Sequence, residues 1–410
     1  MTVAPSRALI FVLVTVFIDT VGFGIIIPVL PRLLMDLLGA PLGTAALYAG
    51  WLMFLFSGLQ FLSAPVLGNL SDHFGRRPVL LGSLAAFALD FLLMGLAPTV
   101  GWLFLGRALS GVFSATYPVV SAYVADLTSP EQRAKSFGLL GAGWGFGFVV
   151  GPAIGGLLGD ANPRLPFFVA AGLAAVNVVY GYFVLPESLA PANRRAFSLK
   201  RANPVGAFRA MRQYPLVIGL LGALLLYHVA HDANPATWTY VTMAKFGWTP
   251  RDIGLSMAFV GVCAALAQGV AVGPVVKWLG ERRAMLAGFG LFTLSFLGYA
   301  FATSGWMMYF WIVPFSFGTI ASIATMALLS KQVPANQQGE LQGAVSSLRS
   351  ITACFAPLLM TGLFSYFTSP AAPVQFPGAS FFAASVLTLA ALGLVVVVLR
   401  RIPEAAPAPR

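Results

Sequence analysis

The sequence predicts an all-α membrane protein, with twelve transmembrane helices in two pseudo-symmetric halves of six. Three observations carry that prediction. The 410 residues are 58% hydrophobic and 9% charged, whereas a soluble domain carries about 25% charged residues. The apolar residues gather into twelve long stretches, and at about 1.5 Å per residue each can cross a hydrocarbon layer of about 30 Å. Eighteen of the 24 Lys and Arg fall at the N-terminus, in every second gap and in the tail. That bias marks cytoplasmic loops, so both termini are expected in the cytoplasm.

In chain order the spans fall at 8–30, 45–67, 78–97, 100–123, 137–159, 166–185, 214–238, 253–275, 284–303, 305–328, 341–365 and 380–400. The first is long for a cleavable signal and runs into Pro28-Val29-Leu30-Pro31, not a small-residue cleavage site, so it is expected to remain. The basic gaps hold Arg76 and Arg77; Arg133 and Lys135; Arg194, Arg195, Lys200, Arg201, Arg209 and Arg212; Lys277, Arg282 and Arg283; and Lys331. Arg7 precedes the first span, and Arg400, Arg401 and Arg410 follow the last. The opposite gaps hold Arg32, Arg164, Lys245 and Arg251, while Arg107 and Arg349 lie inside spans. Segment 186–213, rich in Ala, Pro, Asn and Arg, is expected to be a cytoplasmic linker between halves 1–185 and 214–410.

The net charge of +11 is a nucleic-acid signal in a soluble chain, but here it sits in short loops beside apolar spans, so no nucleic acid is expected as partner. Cys263 and Cys354 both lie in spans and read as small buried hydrophobes, not as a disulfide or a metal pair. The loops leave no room for a soluble catalytic domain. No Gly-rich loop ending in Lys-Ser/Thr is present, which excludes ATP as energy source. No nucleophile–base or metal signature emerges, so neither an enzyme nor a cofactor is expected.

The halves repeat. Gly68-Asn69-Leu70-Ser71-Asp72-His73-Phe74-Gly75-Arg76-Arg77 follows span 2, and Gly273-Pro274-Val275-Val276-Lys277-Trp278-Leu279-Gly280-Glu281-Arg282-Arg283 follows span 8. Gly68, Gly75 and Arg77 map onto Gly273, Gly280 and Arg282 at an offset of 205, as Gly138 maps onto Gly343 and Pro152 onto Pro357. Six-helix repeats of this kind are a transporter arrangement, with substrate bound near the bilayer midplane.

Segment 68–80 resembles the signature loop of the major facilitator superfamily. Most of the chain resembles its drug:proton antiporters and, within them, the tetracycline-resistance exporters. The likeness rests on Asp19 through Pro31, on Leu105-Gly106-Arg107-Ala108-Leu109-Ser110-Gly111, and on Gly138 through Gly156. It continues at Pro235-Ala236-Thr237-Trp238, Phe246-Gly247-Trp248 and Gly339-Glu340-Leu341-Gln342-Gly343. The resemblance implies a proton-coupled secondary transporter that exports a hydrophobic drug by alternating access. A monomer in the inner membrane is expected, with protons and a small molecule as its partners. Rival readings are a transporter of the same fold for a sugar, metabolite or lipid, and a sensor or scaffold that does not transport.

The resemblance implies that Gly68, Asp72, Gly75, Arg76 and Arg77 form a gate, with Arg76 linked to Asp126 at the end of span 4. A plain topology determinant is the other reading. The short loop pins span 2 to span 3, and Asp72 is placed to cap span 3 or its adjoining turn and to accept hydrogen bonds from Arg76. In span 5, Gly138, Gly147, Gly151, Pro152, Gly155 and Gly156 resemble the family's antiporter signature. Glycines four apart also make a smooth stripe for close helix packing, which is the alternative reading.

Charges inside spans each need a partner, water or a proton, since an isolated one costs about 2.5–3.5 kcal/mol on insertion scales. Helix rise puts Asp19 about 16 Å from the inner end of span 1, near midplane. Asp90 lies about 18 Å in from the inside and Arg107 about 10 Å from the outside, one level of the bilayer and compatible with an ion pair. By resemblance Asp19, Asp90 and Arg107 serve proton coupling; a structural salt bridge is the alternative for Asp90. Ala264 and Phe292 stand where the tetracycline exporters carry a His and an Asp. Span 7 offers His228, His231 and Asp232 instead, with His228 and Asp232 four apart on one face, as a proton relay, a metal site or a hydrated mouth. Arg349 departs from the family pattern and is a further cavity candidate, to pair with a carboxylate or an anionic part of a substrate or to line the inner vestibule. Gln60, Tyr227, Gln268, Trp238 and Trp311 are candidate cavity contacts.

Overall fold

A computed structural model describes residues 7–114, 116–195 and 213–400. Most of the expected linker, including Lys200, Arg201, Arg209 and Arg212, lies outside the described residues, as do Arg401 and Arg410. Every long regular element among the described residues is a helix. The first eight are α1 (Arg7–Ile26), α2 (Leu30–Leu38), α3 (Leu42–Phe74), α4 (Arg76–Leu96), α5 (Val100–Phe113), α6 (Thr116–Leu127), α7 (Pro130–Ala161) and α8 (Leu165–Val184). The rest are α9 (Pro215–His231), α10 (Ala233–Phe246), α11 (Pro250–Leu266), α12 (Val272–Phe301), α13 (Gly305–Gly318), α14 (Ile320–Lys331), α15 (Gln338–Phe367) and α16 (Ala379–Leu399).

Among the described residues, ten helical runs are long and apolar enough to cross a membrane; dividing one of them and adding span 4, which falls in two shorter helices, accounts for the twelve expected spans. Pro250–Phe301 is continuous over 52 residues, about 78 Å if straight, but leaves helical geometry at Gly280 (φ 76°, ψ 158°) and so divides into spans 8 and 9. Span 4 is broken at Ser114 into α5 and α6, of 14 and 12 residues, each short on its own. The repeat is visible in the boundaries. Adding 205 to α4 gives Glu281–Phe301, the second part of α12, and adding it to α5 gives α13, residue for residue. The break at Ser114 recurs at Thr319, between α13 and α14.

Contacts group the chain into two units: residues 1–202 with 242–262, and residues 203–241 with 263–410. In the first, α1 packs on α7 and α8, and α4 on α5 and α8. Its core is largely aliphatic, built from Phe11, Val12, Val16, Leu80, Leu84, Val120 and Tyr123. In the second, α16 packs on α9 and α12, and the core is aromatic. Phe292 lies 4.9 Å from Phe315 and 5.8 Å from Phe296, ring centre to ring centre, and Tyr299 lies 5.3 Å from Phe381.

Span 7 does not end at residue 238. It runs to Phe246 as α9 and α10, interrupted at Asp232. Pro235, in the first turn of α10, has no N–H to return to His231, which explains the interruption. Between α11 and α12 the helix widens into a π-turn at Ala267–Ala271, a distortion often found at functional sites.

Candidate functional site

The deepest charge cluster lies in the first unit, where α4 meets α5. Asp90 is fully buried. Arg107 pairs with its Oδ2, and the Ser110 hydroxyl donates to the same oxygen. Residues 103, 106, 107, 110 and 114 recur at helical spacing on one side of α5. Gly106 is the small member of that set: a Cβ there would collide with Asp90 Oδ1, so the absence of a side chain admits the carboxylate. The Arg107 guanidinium also rests over the Phe56 ring, 5.4 Å from its centre, and one turn along α3 Gln60 donates to Ser114 at 2.6 Å. Asp90 Oδ1 and Arg107 Nε are buried without a hydrogen-bond partner among the described residues. The pair that span depth left possible is present, with polar capacity left over for a proton or water.

Asp19 is partly buried on α1, and α7 sets where α1 lies. A Cβ on Gly147 would come within 2.7 Å of Thr20 Cβ, and one on Gly151 within 2.7 Å of the Val21 carbonyl. One on Gly155 would collide with the Ile25 carbonyl. The three glycines are spaced by four, so they form one groove for the Phe17–Ile25 face of α1. Asp19 stands about half a turn from that face, held by the packing without being covered by it. The other side of α7 is as close to α11: Cβ atoms at Gly156 and Gly254 would strike the Pro250 and Pro152 carbonyls. Gly138 differs, with nothing within 4 Å of a Cβ placed there; helix packing does not explain it.

The α3–α4 loop holds the third cluster. Arg76 binds Asp72 at 2.5 Å, Asp126 at 3.3 Å and the Ser71 hydroxyl at 3.1 Å. Asp72 does not cap α4, because the cap is Glu187. Its carboxylate accepts the backbone N–H groups of Arg76 at 2.8 Å and Arg77 at 3.2 Å, the free donors of a helix start. Gly75 (φ 108°) adopts a backbone that disfavours side chains, and a Cβ there would also displace Glu187. Ser188 donates to Asp126 at 3.1 Å, and Tyr123 to the Pro186 carbonyl at 2.8 Å. Arg77 reaches the Tyr182 carbonyl at 2.6 Å. Gly68 has open space around it. The sequence reading missed Glu187, whose signal was a lone carboxylate beside Pro186 just past the end of span 6.

In the second unit, His231 faces Asp232 at 3.8 Å. The turn from His228 to Asp232 is intact, with the Asp232 N–H donating to the His228 carbonyl at 3.0 Å, yet the carboxylate's ion pair is with His231 and not with His228. Tyr227 is buried between His228, His231, Phe289 and Phe292, with ring centres 5.2–6.0 Å away. Arg349 of α15 is exposed and within electrostatic reach of Tyr227 and His228. Gln268 is exposed in the π-turn. Trp238 is fully buried against Tyr299 and Phe381, a core residue and not a cavity contact. Trp311 lines an apolar surface groove with Leu294, Phe310 and Val313, a surface suited to hydrocarbon. Phe292 is fully buried among aromatic rings.

A family model described as Major Facilitator Superfamily matches residues 12–241 and 230–410. The tetracycline resistance protein, class C, of Escherichia coli is 40% identical over 360 residues, 88% of this chain and 90% of that protein. The class D protein of Salmonella ordonez is 36% identical over the same shares. Multidrug resistance protein 2 of Bacillus subtilis (strain 168) is 30% identical, over 85% of this chain and 87% of that protein. Among solved structures, a bacterial homolog to the human lysosomal transporter Spinster, inward-facing and occupied, matches with TM-score 0.77 and 14% identity over 98% of this chain and 99% of that one. The nucleoside transporter NupG matches with TM-score 0.77 and 11% identity, over 96% and 99%. Likeness at those identities speaks for the fold alone. With nearly the whole sequence covered by the family model and relatives at up to 40% identity, the chain is a multi-pass membrane protein that belongs to the major facilitator superfamily.

Proposed function

We propose that the protein is a proton-coupled secondary transporter of the inner membrane that exports a hydrophobic, tetracycline-like drug by alternating access. The substrate class follows the tetracycline resistance proteins it resembles at 35–40% identity. The observation that carries the coupling mechanism is the buried Asp90–Arg107–Ser110 cluster. Packing alone favours apolar side chains at such a site, because an ion pair withdrawn from water costs more than it returns unless something else selects for it.

In this reading Asp19 carries the proton, since its partial exposure on α1 leaves it open to water and to cargo. Asp90 and Arg107 hold the level of the bilayer at which the charge is exchanged. The glycine face of α7 keeps α1 in register with them. His228, His231 and Asp232, at the break in span 7, supply a second protonatable group where Ala264 and Phe292 stand in place of the tetracycline exporters' His and Asp. Gln60, Tyr227, Gln268 and Arg349 are assigned to the drug's path, and Trp311 to the hydrocarbon-facing surface. The bodies that alternate are 1–185 and 214–410, joined by 186–213. The loop at Gly68–Arg77 with Asp126 is the gate on the cytoplasmic face, where both termini lie, and one copy of the chain suffices.

The test uses everted membrane vesicles. Tetracycline uptake accompanied by proton release is expected, with both lost in Asp19→Asn while the variant remains in the membrane. Uptake that survives collapse of the proton gradient would overturn the coupling.

A further inference from the structure

The 205-residue repeat carries a feature that neither half shows alone: three of its charged positions recur with the sign reversed, while Arg77 and Arg282 keep theirs. Asp72, Arg76 and Asp126 correspond to Lys277, Glu281 and Lys331. The ion pair recurs as well. Arg76 meets Asp126 at 3.3 Å, and Lys331 Nζ lies 2.7 Å from both carboxylate oxygens of Glu281. Each pair joins residues 50 apart. The backbone matches too, with Gly75 at φ 108°, ψ 162° and Gly280 at φ 76°, ψ 158° just before Arg76 and Glu281.

A loop that only set topology would need positive charge. It would have no use for a carboxylate at 281, still less for one with both oxygens on Lys331. Reversing all three signs keeps the attraction and turns a net negative set into a net positive one. The second pair stands with less support. Ser71, which steadies Arg76, corresponds to Val276. The space that Glu187 fills beside Gly75 is open beside Gly280 among the described residues. The Arg76 side chain is 12% exposed, that of Lys331 63%. Exposed pairs add little to static stability, so a pair conserved in geometry but not in sign fits a contact that works by being made and broken.

We propose that Glu281 and Lys331 are positioning residues that form a second latch, the sign-reversed counterpart of Arg76–Asp126, fastening the turn between spans 8 and 9 to the end of span 10. The latch sets turnover and leaves drug binding unchanged. It rests on the transporter reading above, with tetracycline as the probe.

The full chain in proteoliposomes gives the test, with tetracycline-driven proton release measured beside tetracycline binding and melting temperature. E281K and K331E are each expected to lower turnover about tenfold, with binding and melting close to the parent. The double swap E281K/K331E restores turnover, and so does K277D/E281R/K331D, which writes the first set of signs into the second. Single variants at the parental rate, or a folded double swap as slow as the singles, would overturn the latch. A readout free of cargo separates this from failure of the drug assignment. Spin labels at W278C and N336C, with Cys263 and Cys354 replaced by Ser, should give one short distance in the parent and a longer, broader distribution in E281K. An unchanged distribution overturns the latch, whereas a parent that fails to move tetracycline but shows the broadening overturns only the drug.

Discussion

The two repeats share a backbone and divide the chemistry. Positions 90, 107 and 110 of the first carry Asp, Arg and Ser in one buried cluster; at the same offset the second carries Ser295, Ile312 and Phe315. Gly106, which makes room for Asp90, corresponds to Trp311, whose ring occupies the space a Cβ at Gly298 would need. The helix boundaries of α5 and α13 nonetheless agree to the residue. Helix length and breakpoints are set by the apolar layer and by local backbone, which both repeats experience alike. The filling of each core is free to diverge, so one repeat retains buried charge and the other an aromatic stack.

The largest effect expected from that difference is at residue 90. Asp90→Ala strands Arg107 in a buried site, and breaking a buried pair by removing one partner costs about 3–5 kcal/mol. At the matching position, Ser295 only returns a hydrogen bond to the Leu291 carbonyl, so Ser295→Ala should cost about 1 kcal/mol or less. Unfolding of purified protein in detergent measures both, and equal losses would erase the distinction between the repeats.

The next effect is steric. Gly155→Ala places a methyl group against the Ile25 backbone, which cannot rotate away as a side chain would, and overpacking of this kind costs about 1–3 kcal/mol. Gly138→Ala meets nothing and should match the parent or exceed it slightly, since Ala is the better helix former. If the close packing of α1 on α7 also positions Asp19, transport falls in the first variant and not in the second. Loss of transport in Gly138→Ala at parental stability would show that this glycine has a function packing does not reveal.

How much of this was legible in the sequence depended on range. The shared depth of Asp90 and Arg107 could be read from the sequence, because helix rise is regular and both spans cross the same layer, but their lateral adjacency could not. The Arg76–Asp126 link was implied by family resemblance, and the two side chains meet as implied. The capping of α4 was misassigned to Asp72 because a local reading looks for the nearest carboxylate, while Glu187 arrives from 110 residues away. In span 7, spacing put His228 and Asp232 on one face, but the carboxylate's ion pair is with the neighbouring His231. Trp238 reads in the sequence as a candidate cavity contact; three-dimensional packing between Tyr299 and Phe381 puts it in the core.

The smallest effect tests the missed residue against its absent counterpart. Glu187→Ala removes the acceptor for two N–H groups at the start of α4, and losing an N-terminal cap costs about 0.5–2 kcal/mol. No carboxylate fills the space beside Gly280 as Glu187 does beside Gly75 among the described residues. Hydrogen exchange at Arg76 and Arg77 should therefore accelerate in Glu187→Ala, toward the faster rate expected at Glu281 in the parent. Exchange at Arg76 that stays slow without Glu187 would mean that Asp72 and Asp126 hold the turn by themselves, and the asymmetry between the two loops would then lie in charge alone.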